Sequence, residues 1–560
     1  MNRISHLQRR TFSYAADESS KNNKEMNDEI THKWGCRFFS VSREGFFMFS
    51  SVVSGAVYGV HSYLMHIETD ISDGLPMFTM VGFVSAQVRE AGERVRVAMR
   101  NTGIHLPPKR ITVNLTPAEI PKRDVIADLP VAIGILIAMG LLDQKAVKDV
   151  FIAGGLSLDG VVTPVRGVLP MVLEAKERGM KVFLLPRENV KEGAAVHGIH
   201  AVGVTTLEEA FHYLRLPKGE RNSFLPPEPE KMLSYETAEK QERMDLSDVC
   251  GQDGVKRALE IAAAGFHNVL MIGPPGSGKS MMARCLPGIL PELTYEESLE
   301  ISSVYSIAGE LPEGASLIRE RPFVAPHHSI TQQALVGGGN YPRPGAISLA
   351  HRGVLFLDEL PEFGRESLNL LRQPLEDQRI VIARNSGTYE FPAKFMLVCA
   401  ANPCPCGFYP EDRCHCTQAQ IQNYQNRIPG PILDRIDLCT DAPRVPVGEL
   451  LSRKAQEKSE DVRRRVIAAQ ERQAYRFREE AILFNGEMNA AQTEKYCILG
   501  RSEKKFVKEV FRRMDLSARA FHRILRVSRT IADLEGEERI LEDHLAEAVG
   551  YRSADRRAPE

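Results

Sequence analysis

The residues best suited to chemistry form one short stretch, GPPGSGKS, which fits the phosphate-binding pattern G-x-x-x-x-G-K-[ST]. Its glycines allow a tight turn that points backbone N–H groups at phosphate. Lys279 would supply charge to the β- and γ-phosphates of ATP, and Ser280 a hydroxyl to Mg²⁺. The alternative is a glycine turn with an incidental lysine. The predicted nucleotide-binding residues are Gly273, Pro274, Pro275, Gly276, Ser277, Gly278, Lys279 and Ser280.

A second stretch, GVLFLDE at 353–359, is an apolar run that ends in two carboxylates. After a strand at this position, Asp358 would hold Mg²⁺ through water and Glu359 would polarise the attacking water. The alternative is a buried strand that ends in a solvated acidic turn. Because Asn268 to Ile272 is a strand-like run and SMMARCL after the glycines is helix-like, the first stretch has the strand–loop–helix order that a phosphate loop needs.

Length and composition indicate a multidomain globular protein. The 560 residues exceed what one core holds, so two to four domains are expected. The net charge of -2 indicates neither nucleic acid nor anionic membrane as a partner. The ten cysteines do not form a disulfide framework and favour a reducing cytoplasm. The longest apolar run, 130–142, is too short to span a bilayer, so no membrane partner is predicted.

The composition changes along the chain and predicts an α/β multidomain fold. Residues 1–47 read as a disordered extension or a mis-assigned start, since Met48 could begin the chain. A mixed α/β domain follows at 48–216, then a Pro-, Glu- and Lys-rich linker at 217–244. An ATPase core at 245–444 precedes a helical lid at 445–550 and a tail at 551–560.

Periodicity and turn residues predict the elements. In the first domain these are strands Tyr63 to Thr69, Arg110 to Asn114 and Val182 to Pro186, and helices Ala86 to Asn101 and Asp128 to Leu142. In the core they are a helix from Pro361 to Ile380, with Leu368, Leu370, Leu371 and Leu375 on its buried face, a β-hairpin from Gln378 to Phe395 and a strand from Phe395 to Ala400. In the lid they are helices Gly448 to Glu479, Ser502 to Met514, Ser517 to Asp533 and Leu541 to Val549.

Four cysteines lie within thirteen residues, CPCGFYPEDRCHC, directly after the last core strand. Four thiolates are a common set of ligands for structural Zn²⁺. The C-x-C spacing is tighter than the usual C-x₂-C, so reduced thiols without metal stay an alternative. The candidate zinc ligands are Cys404, Cys406, Cys414 and Cys416.

Three segments carry a family resemblance: NLTPAEIPK (114–122), DLPVAIGIL (128–136) and GGLSLDGVVTPVRGVLPMVLEAKERG (154–179). They resemble the Lon-protease-like domain that opens the ComM/YifB family of magnesium chelatase-like AAA+ ATPases, and the resemblance continues to the C-terminus. It implies a Lon-protease-like α/β domain, an AAA+ P-loop core with a parallel sheet and a C-terminal helical lid. Unlike Lon, KRDVIADLP has no serine and Leu169 stands where the lysine would fall, so proteolysis has no mechanism. Ser157 is interpreted as a turn residue.

The resemblance also implies further site residues. DVCGQ at 248–252 resembles the AAA+ segment that passes the adenine, and Asn402 matches the sensor that orients water against the γ-phosphate. GPILDRIDL at 430–438 resembles the arginine-finger segment and indicates Arg435, which otherwise would pair with Asp434 or Asp437. LSARAFHRILRVSRTIADLEG at 516–536 resembles the sensor-2 helix of the family. The resemblance indicates Arg519 as the phosphate-sensing residue, with Arg526 as second choice.

Contacts with a substrate are less determined by the sequence. The glycine-rich insert at 296–345 would face the pore of a ring, but no role is assigned to its His327 and His328. Arg379 and Arg384 on the hairpin could contact DNA or be solvated. The run at 463–465 (RRR) could bind phosphodiester, although a solvated helix face is the commoner explanation.

Together these residues predict an ATPase that uses ATP and Mg²⁺. The resemblance implies a homo-oligomeric, hexameric ring motor acting on branched or single-stranded DNA in recombination or natural transformation, as a branch-migration helicase. Two alternatives stay open: the ATPase subunit of a magnesium chelatase, and an ATP-dependent protein remodeller without protease activity.

Overall fold

The computed structural model describes residues 48–82, 86–118, 125–221, 244–312, 314–339, 341–385, 387–446, 456–514 and 516–552. The chain divides into two compact units, Met1–Glu236 with Gly309–Ser316, and Thr237–Ala308 with Leu317–Glu560. The predicted extension 1–47, most of the predicted linker and the tail beyond residue 552 lie outside the described residues, so these domain boundaries stay predictions.

The first unit is built on a seven-stranded mixed sheet of order β3-β4-β2-β1-β5-β8-β9. The first two strands form a long antiparallel hairpin, and β5, β8 and β9 add to it in parallel. The strands are β1 Phe49–Tyr58, β2 His61–Ser72, β3 Met77–Val81, β4 Arg110–Thr116, β5 Val150–Ile152, β6 Gly155–Leu156, β7 Val162–Thr163, β8 Val182–Pro186 and β9 His200–Val204.

The helices of this unit cover its sheet. They are α1 Ala86–Asn101, α2 Asp128–Ala138, α3 Val168–Glu177, α4 Val190–Ala194 and α5 Leu207–Arg215. All of α2 is buried, and its first residue, Asp128, is neutralised by Arg94 with an Nε–Oδ2 distance of 2.8 Å. The helix predicted from Asp128 to Leu142 is too long. The chain leaves α2 at Met139 and turns through Gly140, which has a φ of +76°.

The structure describes both positions at which the sequence was compared with Lon, Ser157 and Leu169. Ser157 lies in the turn between β6 and β7, where its hydroxyl donates to Asp159 and, at 3.0 Å, to the carbonyl of Val161. Leu169 is fully buried on α3. A hydroxyl engaged in its own turn and a buried apolar side chain do not form a nucleophile–base pair.

The second unit contains a five-stranded parallel sheet of order β11-β14-β17-β10-β18. Its central strands are uninterrupted apolar runs, as expected for strands buried on both faces. The strands of this unit, including two separate two-stranded ribbons, are β10 Val269–Ile272, β11 Phe323–Val324, β12 Gly337–Gly338, β13 Arg343–Pro344, β14 Val354–Leu357, β15 Arg379–Arg384, β16 Gly387–Pro392, β17 Met396–Ala401 and β18 Leu438–Asp441.

Short helices connect these strands. They are α6 Asp253–Gly265, α7 Lys279–Ile289, α8 Tyr295–Ala308, α9 Gln332–Val336, α10 Ala346–Leu349, α11 Arg365–Leu370, α12 Arg372–Asp377, α13 Gln418–Gln425 and α14 Gly430–Leu433. The single helix predicted from Pro361 to Ile380 is wrong: a 3-10 turn precedes two short helices, because Pro374 has no N–H to donate and crowds the carbonyl of Leu370. Leu368 and Leu371 are buried, whereas Leu370 is exposed.

The C-terminal part of this unit is helical, as predicted. Its helices are α15 Ser459–Arg476, α16 Ala490–Tyr496, α17 Arg501–Met514, α18 Ala518–Glu535 and α19 Glu542–Gly550. The predicted helix from Gly448 to Glu479 is too long, because residues 456–458 are not helical and α15 ends at Arg476; its predicted start at Gly448 lies outside the described residues. Helix α16 was not predicted. In the part of the chain that the structure describes, no helix is long and apolar enough to cross a membrane. The predicted fold class, an α/β multidomain chain with a parallel-sheet core and a helical C-terminal region, is confirmed.

Candidate nucleotide-binding site

The glycine-rich stretch 273–280 lies between β10 and the first turn of α7, which begins at Lys279. Gly276 and Gly278 have φ values of +76° and +86°, a backbone region that side chains with a Cβ rarely adopt. The turn therefore requires glycine at these two positions. It leaves the N-terminus of α7 open toward the loop, and an open helix N-terminus favours an anion.

Lys279 is buried and folded back over the loop. Its Nζ donates to the carbonyl oxygens of Gly273 at 2.7 Å and Pro274 at 2.9 Å. Burial lowers the pKa of Lys279, and the charges of Asp358 and Glu359 partly oppose that shift. The ammonium is thus already placed inside the loop where a phosphate would bind.

Ser280 and Asp358 meet, although they are far apart in sequence. The Ser280 hydroxyl donates to Oδ2 of Asp358 at 2.6 Å, while Oδ1 of Asp358 accepts the backbone N–H of Glu359 at 2.9 Å. A hydroxyl beside a carboxylate is a pair of hard oxygen ligands of the kind that Mg²⁺ takes. The residues present therefore fit the metal that the sequence predicts.

Glu359 lies next to this pair in a left-handed backbone conformation, with a φ of +52°. Its carboxylate is 54% exposed, and its Oε2 lies 3.5 Å from Nδ1 of His328. His328 comes from the glycine-rich insert, and its ring is tilted by 35° against that of His327, with ring centroids 4.0 Å apart. No spacing in the sequence indicates this contact, because it depends on the path of the insert.

Two polar side chains support the loop from neighbouring strands and helices. Asn402 follows β17, which pairs with β10, and its Oδ1 lies 3.4 Å from Nζ of Lys279. Gln252, just before α6, donates from Nε2 to the carbonyl oxygens of Ser277 at 3.0 Å and Pro443 at 2.5 Å. The DVCGQ motif indicated a segment near the nucleotide, but not this hydrogen bond beneath the loop.

The two predicted arginines lie elsewhere in this single chain. Arg435 donates to the carbonyl of Pro431 at 2.5 Å and forms an ion pair with Glu376. Arg519 is 79% exposed, with its Nη1 3.8 Å from Oδ2 of Asp434. Among the described residues, no contact joins either arginine to the loop at 273–280.

The second-choice arginine belongs to a buried polar cluster. Arg526 donates to the carbonyl of Gly486 at 2.7 Å and lies 3.3 Å from Oδ1 of Asp437, which also contacts Nδ1 of His267 at 3.3 Å. Burial alone would raise the pKa of Asp437, but the charge of Arg526 and the contact with His267 lower it to about 2. This cluster joins α18 to the edge of the parallel sheet.

The four predicted zinc ligands converge. The Sγ atoms of Cys404, Cys406, Cys414 and Cys416 all lie within 4.8 Å of one another. Cys404 Sγ is 3.3 Å from Cys406 Sγ and 3.7 Å from Cys414 Sγ. The backbone N–H of Phe408 contributes most to lowering the pKa of Cys406, which falls to about 6. All four cysteines are free.

Several of the basic residues considered for DNA are paired. Arg379 contacts Glu390 across the hairpin at 3.1 Å, while Arg384 is exposed near the hairpin tip and donates only to the carbonyl of Ala383, at 3.1 Å, among the described residues. In the run at 463–465, the last two arginines form ion pairs with neighbouring carboxylates and the first donates to a carbonyl.

Comparisons with known proteins identify relatives of this chain. Three family models match: "Subunit ChlI of Mg-chelatase" at residues 67–189, "Magnesium chelatase, subunit ChlI" at 245–450 and "Magnesium chelatase, subunit ChlI C-terminal" at 456–552. The chain is 43% identical to Competence protein ComM of Haemophilus influenzae over 504 residues, 90% of this chain and 97% of the relative. It is 40% identical to YifB of Escherichia coli over 515 residues, 90% of this chain and 97% of that protein.

A more distant relative matches a smaller part. The magnesium-chelatase 38 kDa subunit of Rhodobacter capsulatus is 28% identical over 176 residues, which cover 28% of this chain and 50% of that subunit. Similarity along nearly the whole length is thus found with ComM and YifB. The chain belongs to the magnesium chelatase ChlI-like family, together with its ComM and YifB members.

Proposed function

We propose that the protein hydrolyses ATP with Mg²⁺ at the loop formed by residues 273–280. The observation that carries this proposal is the 2.6 Å hydrogen bond from Ser280 Oγ to Asp358 Oδ2, one residue from the buried ammonium of Lys279. Two segments distant in sequence thereby place a phosphate cradle beside a pair of oxygen ligands for metal. The strands β10 and β14, which precede these segments, are both hydrogen-bonded to β17 in one sheet, and this supports the proposal.

Each side chain has a role that its position permits. Lys279 would leave its loop carbonyls and donate to the β- and γ-phosphates, and Ser280 and Asp358 would hold Mg²⁺, which neutralises phosphate charge when bound. Glu359 is exposed, so its carboxylate can accept a proton from the attacking water. Asn402, next to the lysine, would orient that water.

We propose that identical subunits form a ring, with six as the expected number. Arg435 and Arg519 would act on the nucleotide of a neighbouring subunit or of their own. A finger stabilises the transition-state charge on a neighbour's nucleotide, so it need not contact its own loop. Arg435 would have to release Glu376, whose carboxylate is 62% exposed. Exchange between partners costs little at such an exposed carboxylate.

We further propose that hydrolysis drives movement of branched DNA during recombination of incoming strands. Support comes from the relative named a competence protein, which is similar over 97% of its length, and from the exposed Arg384 near the tip of the β15–β16 hairpin. The candidate chelatase function has weaker support, since the chelatase subunit matches 28% of this chain. Protein remodelling is the remaining candidate function, and stimulation of the ATPase by unfolded protein would distinguish it from movement of DNA. The free thiols fit a cytoplasmic location.

The test is the ATPase rate of the full chain with Mg²⁺, measured alone, with forked DNA and with unfolded casein. We expect stimulation by forked DNA and none by casein. The Arg384→Gln variant should lose part of the DNA stimulation while keeping the rate without DNA. An Arg178→Gln variant is the control, because Arg178 is another exposed arginine, which pairs with Glu174 of α3 outside the hairpin. Stimulation by casein alone would overturn the DNA proposal and leave the ATPase proposal standing.

A further inference from the structure

The loop that carries the four cysteines connects β17 to α13, directly after Asn402. Around a zinc ion with Zn–S bonds of about 2.3 Å, tetrahedral geometry separates the sulfurs by about 3.8 Å. The separations between Cys404, Cys406 and Cys414 are 3.3, 3.7 and 3.6 Å. These are too long for a disulfide, whose S–S bond is about 2.05 Å. The sulfurs are thus spaced for a shared metal rather than for oxidation to each other.

The backbone of the same loop supports thiolate ligands. The N–H of Tyr409 donates to Sγ of Cys404 at 3.4 Å, and Cys404 is fully buried. Donors that surround coordinating sulfurs orient them and stabilise their negative charge. The guanidinium carbons of Arg413 and Arg444 lie 4.9 and 5.3 Å from the ring centroid of Phe408. Of residues 404–416 only Cys404 and Gly407 are buried, so the loop has little apolar core of its own and a metal would supply a cross-link.

The loop also packs on the nucleotide site. Gly407, between the two C-x-C pairs, has a φ of +83°, and a Cβ added there would lie 2.5 Å from Cδ of Pro275 and 3.8 Å from Cγ of Asn402. Pro275 belongs to the loop at 273–280, and Asn402 lies beside Lys279. The backbone of the cysteine loop is therefore in direct contact with the phosphate-binding turn.

We propose that Cys404, Cys406, Cys414 and Cys416 bind one Zn²⁺, and that the metal-bound loop braces the phosphate-binding turn through Gly407 and Pro275. Metal occupancy then controls nucleotide affinity. Without the metal, the loop loses its cross-link, so Gly407 no longer holds Pro275 and Asn402 in place. The coupling part of this proposal rests on the proposed ATP site, whereas the metal part does not.

The first measurement is zinc content, which is independent of nucleotide. The full chain, purified without added chelator, should contain about one Zn²⁺ per chain, and the Cys414→Ser/Cys416→Ser variant should contain less than about a tenth of that. The control is Cys497→Ser, a cysteine of the helical region whose Sγ donates to the carbonyl of Leu525 at 3.6 Å, a hydrogen bond that serine can replace. Wild type without zinc, or with oxidised cysteines in a thiol titration, would overturn the metal site.

The second measurement is the Kd of a non-hydrolysable ATP analogue with Mg²⁺. Removing zinc from wild type with a chelator should weaken binding by about fivefold or more, and added Zn²⁺, but not extra Mg²⁺, should restore it. Gly407→Ala keeps all four thiols, so it should retain zinc while its Kd also rises by about fivefold or more. An unchanged Kd in the zinc-free wild type or in Gly407→Ala would refute the coupling.

The outcomes distinguish the two proposals. Stoichiometric zinc in a chain that binds no nucleotide would refute the ATP site and leave the metal site standing. Nucleotide binding with normal affinity in a chain without zinc would refute the metal site and leave the ATP site standing. Because chelation is reversible on the folded wild type, the result does not depend on whether the cysteine variants fold.

Discussion

Replacing Lys279 by methionine is expected to weaken nucleotide binding while leaving the fold intact. The lysine side chain is buried, and methionine keeps most of its apolar stem. The substitution therefore removes mainly the positive charge and its hydrogen bonds to the carbonyl oxygens of Gly273 and Pro274. The variant tests whether the ammonium of Lys279 contributes to phosphate binding or only stabilises the loop through its own hydrogen bonds.

The size of the effect follows from the contacts of the free protein. Two unit charges about 4 Å apart attract by about 4 kcal/mol at an effective dielectric constant near 20. Loosening the hydrogen bonds of Lys279 to two loop carbonyls offsets about 1.5 kcal/mol of that attraction. The net loss of about 2 to 3 kcal/mol corresponds to a Kd about 30- to 150-fold higher.

The assay is equilibrium binding of a fluorescent, non-hydrolysable ATP analogue in the presence of Mg²⁺. Lys394→Met is the control, because the side chain of Lys394 is also largely buried and its Nζ pairs with Glu487 at 2.6 Å, before the start of β17, whereas Asn402 follows the end of that strand. A Kd for Lys279→Met within about threefold of wild type would refute the phosphate role. An equal rise in both variants would point to a general effect of losing a structural lysine.

Three further changes test other parts of the site. Glu359→Gln should lower kcat by about 100-fold or more and leave the Kd for ATP unchanged, because the amide cannot accept the water's proton. Single-turnover rates measure the hydrolysis step and equilibrium binding measures the Kd. Substantial turnover by this variant would contradict the role of Glu359 as the base. Arg435→Met should be inactive, yet an equal mixture with Glu359→Gln should recover about a quarter of the wild-type ATPase rate if the arginine acts on a neighbour's nucleotide; no recovery would place it in its own site. Asp437 has a folded pKa of about 2, below its ordinary 3.8, so its stabilisation is present above about pH 4 and lost as pH falls toward 2. Asp437→Asn should therefore lower the free energy of unfolding by about 2 kcal/mol near pH 7, with a difference that shrinks toward about pH 3 in urea titrations; a constant difference would contradict the assignment.

The sequence predicts the parts of the site that depend on local chain geometry. A strand, a glycine turn and a helix are contiguous, so the loop at 273–280 is visible as a pattern. The strand that ends in Asp358 and the strand before Asn402 are apolar runs of the right length, and parallel strands present their carboxyl ends at one edge of the sheet. Once β17 neighbours β10, the proximity of Asn402 to Lys279 follows.

Contacts that depend on the paths of long connections could not be predicted. His328 reaches Glu359 from an insert whose course is set by tertiary packing, and Arg435 pairs with Glu376 rather than with the Asp434 or Asp437 beside it in sequence. The exposure of Leu370 has the same origin, since the break between two short helices changes which face is buried. For His328 and Arg435 the partner is distant in sequence, whereas for Leu370 the break between the helices decides which side chains are buried.

The arginines of α18 show how burial narrows the choice of a phosphate sensor. Arg523, Arg526 and Arg529 are partnered at or below the surface of the fold: Arg523 donates to the carbonyl of Ile436, Arg526 lies against Asp437, and Arg529 is 3.1 Å from Asp533. Withdrawing Arg526 or Arg529 would strand a buried carboxylate, at a cost of about 3 to 5 kcal/mol.

Arg519 differs in this respect. It is 79% exposed and its contact with Asp434 is long, at 3.8 Å, so releasing it costs at most about 1 kcal/mol. A side chain that must exchange its partner for a phosphate during each turnover needs such a low cost of release. On this helix the exposed arginine at its first turn meets that condition, which favours Arg519 over Arg526 as the residue that responds to nucleotide.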